Sequence, residues 1–133
     1  MSSYVLDTSA VLCYMQNEPQ ADQIEALIMA ARTDPLVELS LPFIVLMEVE
    51  YKFLKLWRNP TRVDAVVAAL GAWPATVRES SETWRREAAR VKASNRLSVA
   101  DAWVASLGLL LDAAVVHKDP EMDAVPGLKA MRL

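Results

Sequence analysis

The chain has a single cysteine and a single histidine. A lone Cys13 cannot form an internal disulfide, and among Val11, Leu12 and Tyr14 it reads as a small buried hydrophobe. One His and one Cys exclude zinc-finger and His-rich metal sets, and a Ser-His-Asp or Cys-His site would have to use His117. Any metal is therefore expected to be held mainly by oxygen. Also missing are an apolar run long enough to span a bilayer and a basic N-terminal region leading into a signal-type apolar core, so the expectation is a soluble, cytoplasmic protein with no membrane partner. There is no internal repeat, low-complexity tract or linker. With 133 residues and 53% hydrophobic content, one domain is expected over residues 1–133. Nor is there an excess of positive charge: 14 basic residues against 17 acidic ones give a net charge of -3. That argues against broad nonspecific attraction to nucleic acid and permits a local basic patch.

What the chain does have is a short apolar run, Tyr4-Val5-Leu6, that ends abruptly on Asp7-Thr8-Ser9. It reads as a buried strand delivering Asp7 to its end. Ala10, Val11, Leu12, Tyr14 and Met15 then supply the apolar content of a helix capped by Thr8 or Ser9. Ligands bind at the carboxyl ends of strands in parallel α/β sheets, so Asp7 is a metal or catalytic candidate. Asp is equally a good helix cap, and this stretch alone leaves both roles open. Further on, Ile24, Leu27, Ile28 and Ala31 recur at helical spacing, Leu36 to Leu41 suits a second strand, and Pro42 sits where a helix begins. The helix from Phe43 to Trp57 is expected to bury the stripe Ile44, Met47, Tyr51 and Leu54. A shorter helix over 62–70, a strand over 75–77, a helix from Ser80 or Ser81 to about Ser94, an apolar helix opened by Ser98-Val99-Ala100-Asp101, and strands over 113–116 and 128–131 complete the order. This alternation predicts an α/β fold, a three-layer α/β/α sandwich with a mostly parallel central sheet.

Three more acids stand at informative places. Glu48 lies on the edge of an apolar stripe, where a carboxylate needs a positive partner: a metal ion, or simply Lys52 four residues on. Asp101 lies in the first turn of its helix, and its spacing from Ser98 also matches a capping box. Asp119 follows an apolar strand through His117 and Lys118, and His117 reads as an ordinary strand-end residue. If that strand neighbours the first, Asp7 and Asp119 stand at one edge of the sheet. Clustered carboxylates repel unless divalent cations neutralise them, and Mg²⁺ or Mn²⁺ suits an all-oxygen set. An ion so held can lower the pKa of a bound water and stabilise charge developing on a phosphodiester, which indicates phosphodiester hydrolysis. Lys52, Lys55, Arg58 and Arg62, with Trp57 among them, suit either a phosphate backbone or a solvated helix end.

Taken in order, Val5-Leu6-Asp7-Thr8-Ser9, Met47-Glu48-Val49-Glu50-Tyr51, Leu97-Ser98-Val99-Ala100-Asp101-Ala102 and Val115-Val116-His117-Lys118-Asp119 resemble the PIN-domain ribonucleases, especially the VapC-like toxins of toxin–antitoxin pairs. The resemblance spans nearly the whole chain. It implies an Mg²⁺- or Mn²⁺-dependent endoribonuclease acting on RNA, with metal-binding, catalytic acids at Asp7, Glu48, Asp101 and Asp119 supported by the hydroxyls of Thr8 or Ser9. It also implies a small antitoxin partner and a homodimer, to which the four Trp residues add weight. The chain departs from the family pattern in two places. Glu121 and Met122 stand where members often carry a second Asp and an aromatic, and Lys52 stands where a Gly commonly follows the Tyr. Two other readings compete: a phosphatase with Asp7 as nucleophile, which would want a second acid where Ser9 stands, and a PIN-like interaction module whose acids hold no metal.

Overall fold

The computed structural model describes residues 1–133. Its strands are β1 (Ser2–Leu6), β2 (Val37–Pro42), β3 (Ala75–Arg78), β4 (Ala114–His117) and β5 (Lys129–Arg132). Its helices are α1 (Thr8–Met15), α2 (Ala21–Thr33), α3 (Phe43–Trp57), α4 (Pro60–Gly71), α5 (Glu82–Ser94) and α6 (Val99–Leu111), and a short 3-10 turn spans Pro120–Ala124. The strands form one sheet in the order β3-β2-β1-β4-β5, and every neighbouring pair is parallel. Parallel pairs need crossovers, and these cover both faces with helices, giving the expected α/β/α layers. β1 lies at the centre, where Val5 and Leu6 are fully buried. The chain winds from β1 out to β3 on one side and returns to place β4 and β5 on the other, so the order reverses between β1 and β4. In open α/β sheets the crevice for a ligand opens at that reversal, beyond the carboxyl ends of the strands.

Packing around the reversal is tight. A Cβ on Gly108 of α6 would lie 2.6 Å from the Val115 side chain of β4 and 2.9 Å from that of Leu128, so only a bare backbone lets α6 approach the sheet this closely. On the other flank of α6, Phe43, Trp84 and Trp103 meet edge to face at centroid distances of 5.0 to 5.5 Å. The Trp84 indole Nε1–H donates to the Trp103 carbonyl and to Ser106 Oγ, each at 2.9 Å. Asp101, two residues before Trp103, is thereby carried on a helix fixed on both flanks.

Two expectations are overturned. The predicted stripe on α3 is not the buried one: Met47, Tyr51 and Leu54 are exposed, Ile44 is half-buried, and Val45, Val49 and Phe53 enter the core. α3 is apolar over most of its circumference, so two rows at helical spacing exist, and period alone cannot choose between them. The cap of α1 also differs. Asp7, not Thr8 or Ser9, is the N-cap residue and makes no side-chain capping bond, while the Thr8 hydroxyl donates to Glu48 and the Ser9 hydroxyl to Asp7. The other boundaries shift slightly; β4 and β5 each lie one residue later than predicted, and α4 begins at Pro60, with Asn59 Oδ1 accepting from the Arg62 N–H at 3.2 Å.

Candidate functional site

Asp7 is held from both sides by regular backbone. Its N–H donates to the Val116 carbonyl of β4 at 3.1 Å, and its own carbonyl accepts from the N–H groups of Ala10 and Val11 in the first turn of α1. The residue as a whole is 5% exposed. Oδ2 accepts from the Ser9 hydroxyl at 2.9 Å, while Oδ1 is buried with no hydrogen-bond partner. Burial pushes the Asp7 carboxyl above its ordinary range, and the charge of Glu48 adds to this, against the lowering effects of the Ser9 and Thr8 hydrogen bonds. An orphaned buried carboxylate oxygen is costly, and such an atom asks for a partner from outside the chain.

Glu48 comes from the middle of α3. Its Oε1 accepts from the Thr8 hydroxyl at 2.7 Å, so Thr8, not Lys52, is its partner. The alternative i,i+4 ion pair with Lys52 does not form. Asp101 sits in the first turn of α6, where its backbone N–H donates to Ser98 Oγ at 3.1 Å. Half of the predicted capping box is thus real, and the Asp101 carboxyl is held near the other acids. Its pKa is pushed up to about 7, first by burial, then by the charge of Asp7 and a hydrogen bond shared with Asp119.

Asp119 belongs to the loop after β4. Its Oδ1 accepts from the Glu121 N–H at 2.9 Å and so starts the 3-10 turn. The loop is tied to the neighbouring strand end by Ser9, whose Oγ accepts from the Lys118 N–H at 3.1 Å while donating to Asp7. Lys118 in turn reaches Glu18 at 2.6 Å.

Asp7, Glu48, Asp101 and Asp119, with Thr8, Ser9, Glu18, Lys52 and Lys118, line one open cavity of about 360 Å³ at the carboxyl end of the sheet. All six predicted site residues are therefore brought together. Glu121 and Asp123, the other acids of the tail, do not line it. The donors fit a hard divalent cation in kind, since all are oxygens and one is buried and unpaired. They are not closed into a chelate: no three acidic, His or Cys side chains stand close enough to hold one ion together. Each of Asp7 and Glu48 instead takes a hydroxyl hydrogen bond.

One residue of this neighbourhood was missed by sequence reasoning. His117 is fully buried, not an ordinary strand end: its Nδ1 accepts from the Asp119 N–H at 3.0 Å and its Nε2 lies 2.9 Å from Asp123 Oδ1. The one available signal was the spacing of an imidazole two residues before a candidate ligand. The basic patch splits up in space. Lys52 lines the cavity, Arg62 stacks on the Trp57 ring at 3.7 Å, and Lys55 and Arg58 are exposed. No helix is long and apolar enough to cross a membrane.

Among solved structures the fold is similar to that in DNA-bound VapBC2 from Rickettsia felis, with a TM-score of 0.80 at 14% identity over 98% of this chain and 98% of that one. It is similar to that in DNA-bound VapBC from Salmonella typhimurium, with a TM-score of 0.80 at 20% identity over 99% and 98%. A third likeness is to VapC20 of Mycobacterium tuberculosis, a sarcin-ricin loop cleaving toxin, with a TM-score of 0.71 at 14% identity over 98% and 99%. At these identities the likeness is one of fold. No curated protein matches the sequence. The family model of the PIN domain matches residues 4–128, a span that contains all four acidic motifs, and the chain belongs to the PIN domain family.

Proposed function

We propose that this chain is a single-domain, metal-dependent endoribonuclease that hydrolyses RNA phosphodiester bonds and serves as the VapC-like toxin of a toxin–antitoxin pair. The observation that carries the reading is the convergence of four carboxylates, from the end of β1, from α3, from α6 and from the loop after β4, on one open cavity at the point where the strand order reverses. Membership of the PIN family and the likeness of fold to VapBC structures support it.

Asp7, Asp101 and Asp119, with Glu48, would hold Mg²⁺ or Mn²⁺. When bound, the ion supplies a water of lowered pKa and neutralises charge on the phosphodiester. The chain's own residues do the rest. Thr8 and Ser9 hold Glu48 and Asp7 in place through their hydroxyls. Burial first, and then the charge of Asp7, push the Asp101 carboxyl up to about 7. A cavity open to solvent, lined by carboxylates and two lysines, suits a polymeric phosphodiester better than an enclosed pocket would.

The partners follow the same reading. The exposed apolar face of α3, with Met47, Tyr51 and Leu54, suits a protein surface and supports both a homodimer and a small antitoxin. The site would act in the cytoplasm. The test is to induce wild type and Asp7→Asn side by side and to assay both proteins on RNA with Mn²⁺ and with chelator. Growth arrest and Mn²⁺-dependent cleavage by wild type alone is the expected result. Arrest by both, cleavage unaffected by chelator, or phosphate release from a small ester in place of cleavage would each overturn it.

A further inference from the structure

We propose that His117 is a positioning residue for Asp119: its imidazole Nδ1 takes the Asp119 backbone N–H and so fixes the loop that presents this carboxylate to the cavity. A buried backbone N–H without a partner is rare. From Lys118 to Met122 every N–H is accounted for. Lys118 N–H goes to Ser9 Oγ, Glu121 N–H to Asp119 Oδ1 and Met122 N–H to the Asp119 carbonyl, while Pro120 has none. The Asp119 N–H alone depends on the imidazole, at 3.0 Å. No hydroxyl or carbonyl replaces it.

The ring is itself held from behind. Because Nδ1 accepts, it carries no hydrogen, so Nε2 is the protonated nitrogen and donates to Asp123 Oδ1 at 2.9 Å. Asp123 Oδ2 faces Arg132 of β5 at 3.6 Å, and the Leu133 N–H donates to the His117 carbonyl at 2.8 Å. A chain of contacts therefore runs from the C-terminal strand through Asp123 and His117 to the backbone of Asp119. It assigns Asp123 the task of fixing the ring, which explains why that acid stands outside the cavity. Hydrogen-bonded groups behind a ligand commonly matter tenfold or more to metal affinity.

This role rests on the reading of Asp119 as a ligand under the proposed function, and the experiment keeps the two apart. Side-chain ¹⁵N spectra of wild type come first: an unprotonated Nδ1 is expected, and an Nδ1–H tautomer would overturn the proposal, since it could not accept. Two variants then divide the ring's bonds. His117→Asn places an amide oxygen where Nδ1 stood, and His117→Gln places an amide nitrogen where Nε2 stood. We expect His117→Asn to keep the Asp119 amide protected from exchange and the Mn²⁺ affinity near wild type. His117→Gln should expose that amide and weaken Mn²⁺ by about tenfold or more, lowering kcat with RNA KM unchanged. Equal losses in both variants, or no loss in either, would overturn positioning while wild-type cleavage leaves the nuclease reading standing. Wild type that neither binds Mn²⁺ nor cleaves RNA would bring down both.

Discussion

Asp7 and Asp119 close neighbouring parallel strands and face one cavity, yet they are fixed by different means. Asp7 is placed by regular structure: a β-ladder bond on its N–H and the first helical bonds on its carbonyl. Asp119 is placed by side chains, through His117 on its own N–H and Ser9 on the N–H before it. Regular backbone repeats whatever the side chains are, whereas a loop held by an imidazole and a hydroxyl depends on those two groups being present. The first end is also the drier, so its carboxylate is raised by burial and carries an unpaired oxygen, while Asp119 spends one oxygen on its own turn. Core placement thus leaves Asp7 with an unpaired buried oxygen, and the loop supplies a carboxylate whose place depends on side chains.

The largest effect that sharpens this contrast concerns the loop acids. Asp119→Asn should weaken Mn²⁺ binding by about tenfold or more, with Glu121→Gln and Asp123→Asn both nearer wild type, because Asp119 alone of the three lines the cavity. Calorimetric titration gives the order, and a loss from Glu121→Gln as large as that from Asp119→Asn would move the ligand along the loop.

Next comes the pH dependence of Asp101. Its carboxyl stands at about 7 in the folded protein against an ordinary value of 3.8. For an acid with a raised folded pKa, the folded state binds the extra proton between those two values, so stability falls as pH rises from about 4 to 7 and then levels off. Unfolding midpoints without metal should therefore drop across that window, and Asp101→Asn should flatten the curve. Because the charge of Asp7 contributes to the rise, Asp7→Asn should move the midpoint of the drop to lower pH. Saturating Mg²⁺ should move it the same way. A wild-type curve already flat from pH 4 to 7 would remove this coupling.

Ser9 is the one side chain that touches both strand ends, donating to Asp7 Oδ2 and accepting from the Lys118 N–H. Ser9→Ala leaves a donor and an acceptor unmatched and should cost about 1–3 kcal/mol in stability by denaturant titration. Amide exchange should speed at Lys118 more than in α1, whose backbone bonds do not use the hydroxyl. Equal loosening at both ends would break the contrast between them.

The limits of sequence reading follow the same division. Strands, helices and the four acids were legible because each announces itself locally, in an apolar run that stops at a carboxylate or a cap at fixed spacing. The sheet edge that unites Asp7 and Asp119 followed from parallel pairing of β1 with β4. What stayed hidden was set by partners far along the chain: Ser9 to Lys118, 109 residues apart, and Thr8 to Glu48, 40 apart. Those contacts took both hydroxyls away from the cap expected of them and took Glu48 away from Lys52. The buried row of α3 was hidden for a different reason, because Val45-Val49-Phe53 and Ile44-Met47-Tyr51-Leu54 are equally apolar and only the neighbours of the helix distinguish them. His117 was passed over because its two bonds lie within six residues but depend on how the loop after β4 turns.

The smallest expected effect tests the rim between the two ends. Lys52 and Lys55 follow Glu48 on one face of α3 at steps of four and three residues, the spacing that stacks side chains along a helix. Lys52 lines the cavity with five carboxylates and forms an ion pair with none of them, whereas Lys118 of the same cavity is taken by Glu18. A cation left unpaired beside so many acids is available to a phosphate, and Lys55 extends the same charge one turn further. Lys52→Gln should therefore raise the KM for RNA severalfold, leave kcat and Mn²⁺ affinity unchanged, and flatten the dependence of log KM on log salt by about 0.7, the contribution of one phosphate contact on a single strand. Arg86→Gln on α5 is the control, since Arg86 is already paired with Glu82 and should change neither quantity. A salt dependence untouched by Lys52→Gln, or lowered equally by Arg86→Gln, would mean that the strand leaves the cavity by another path.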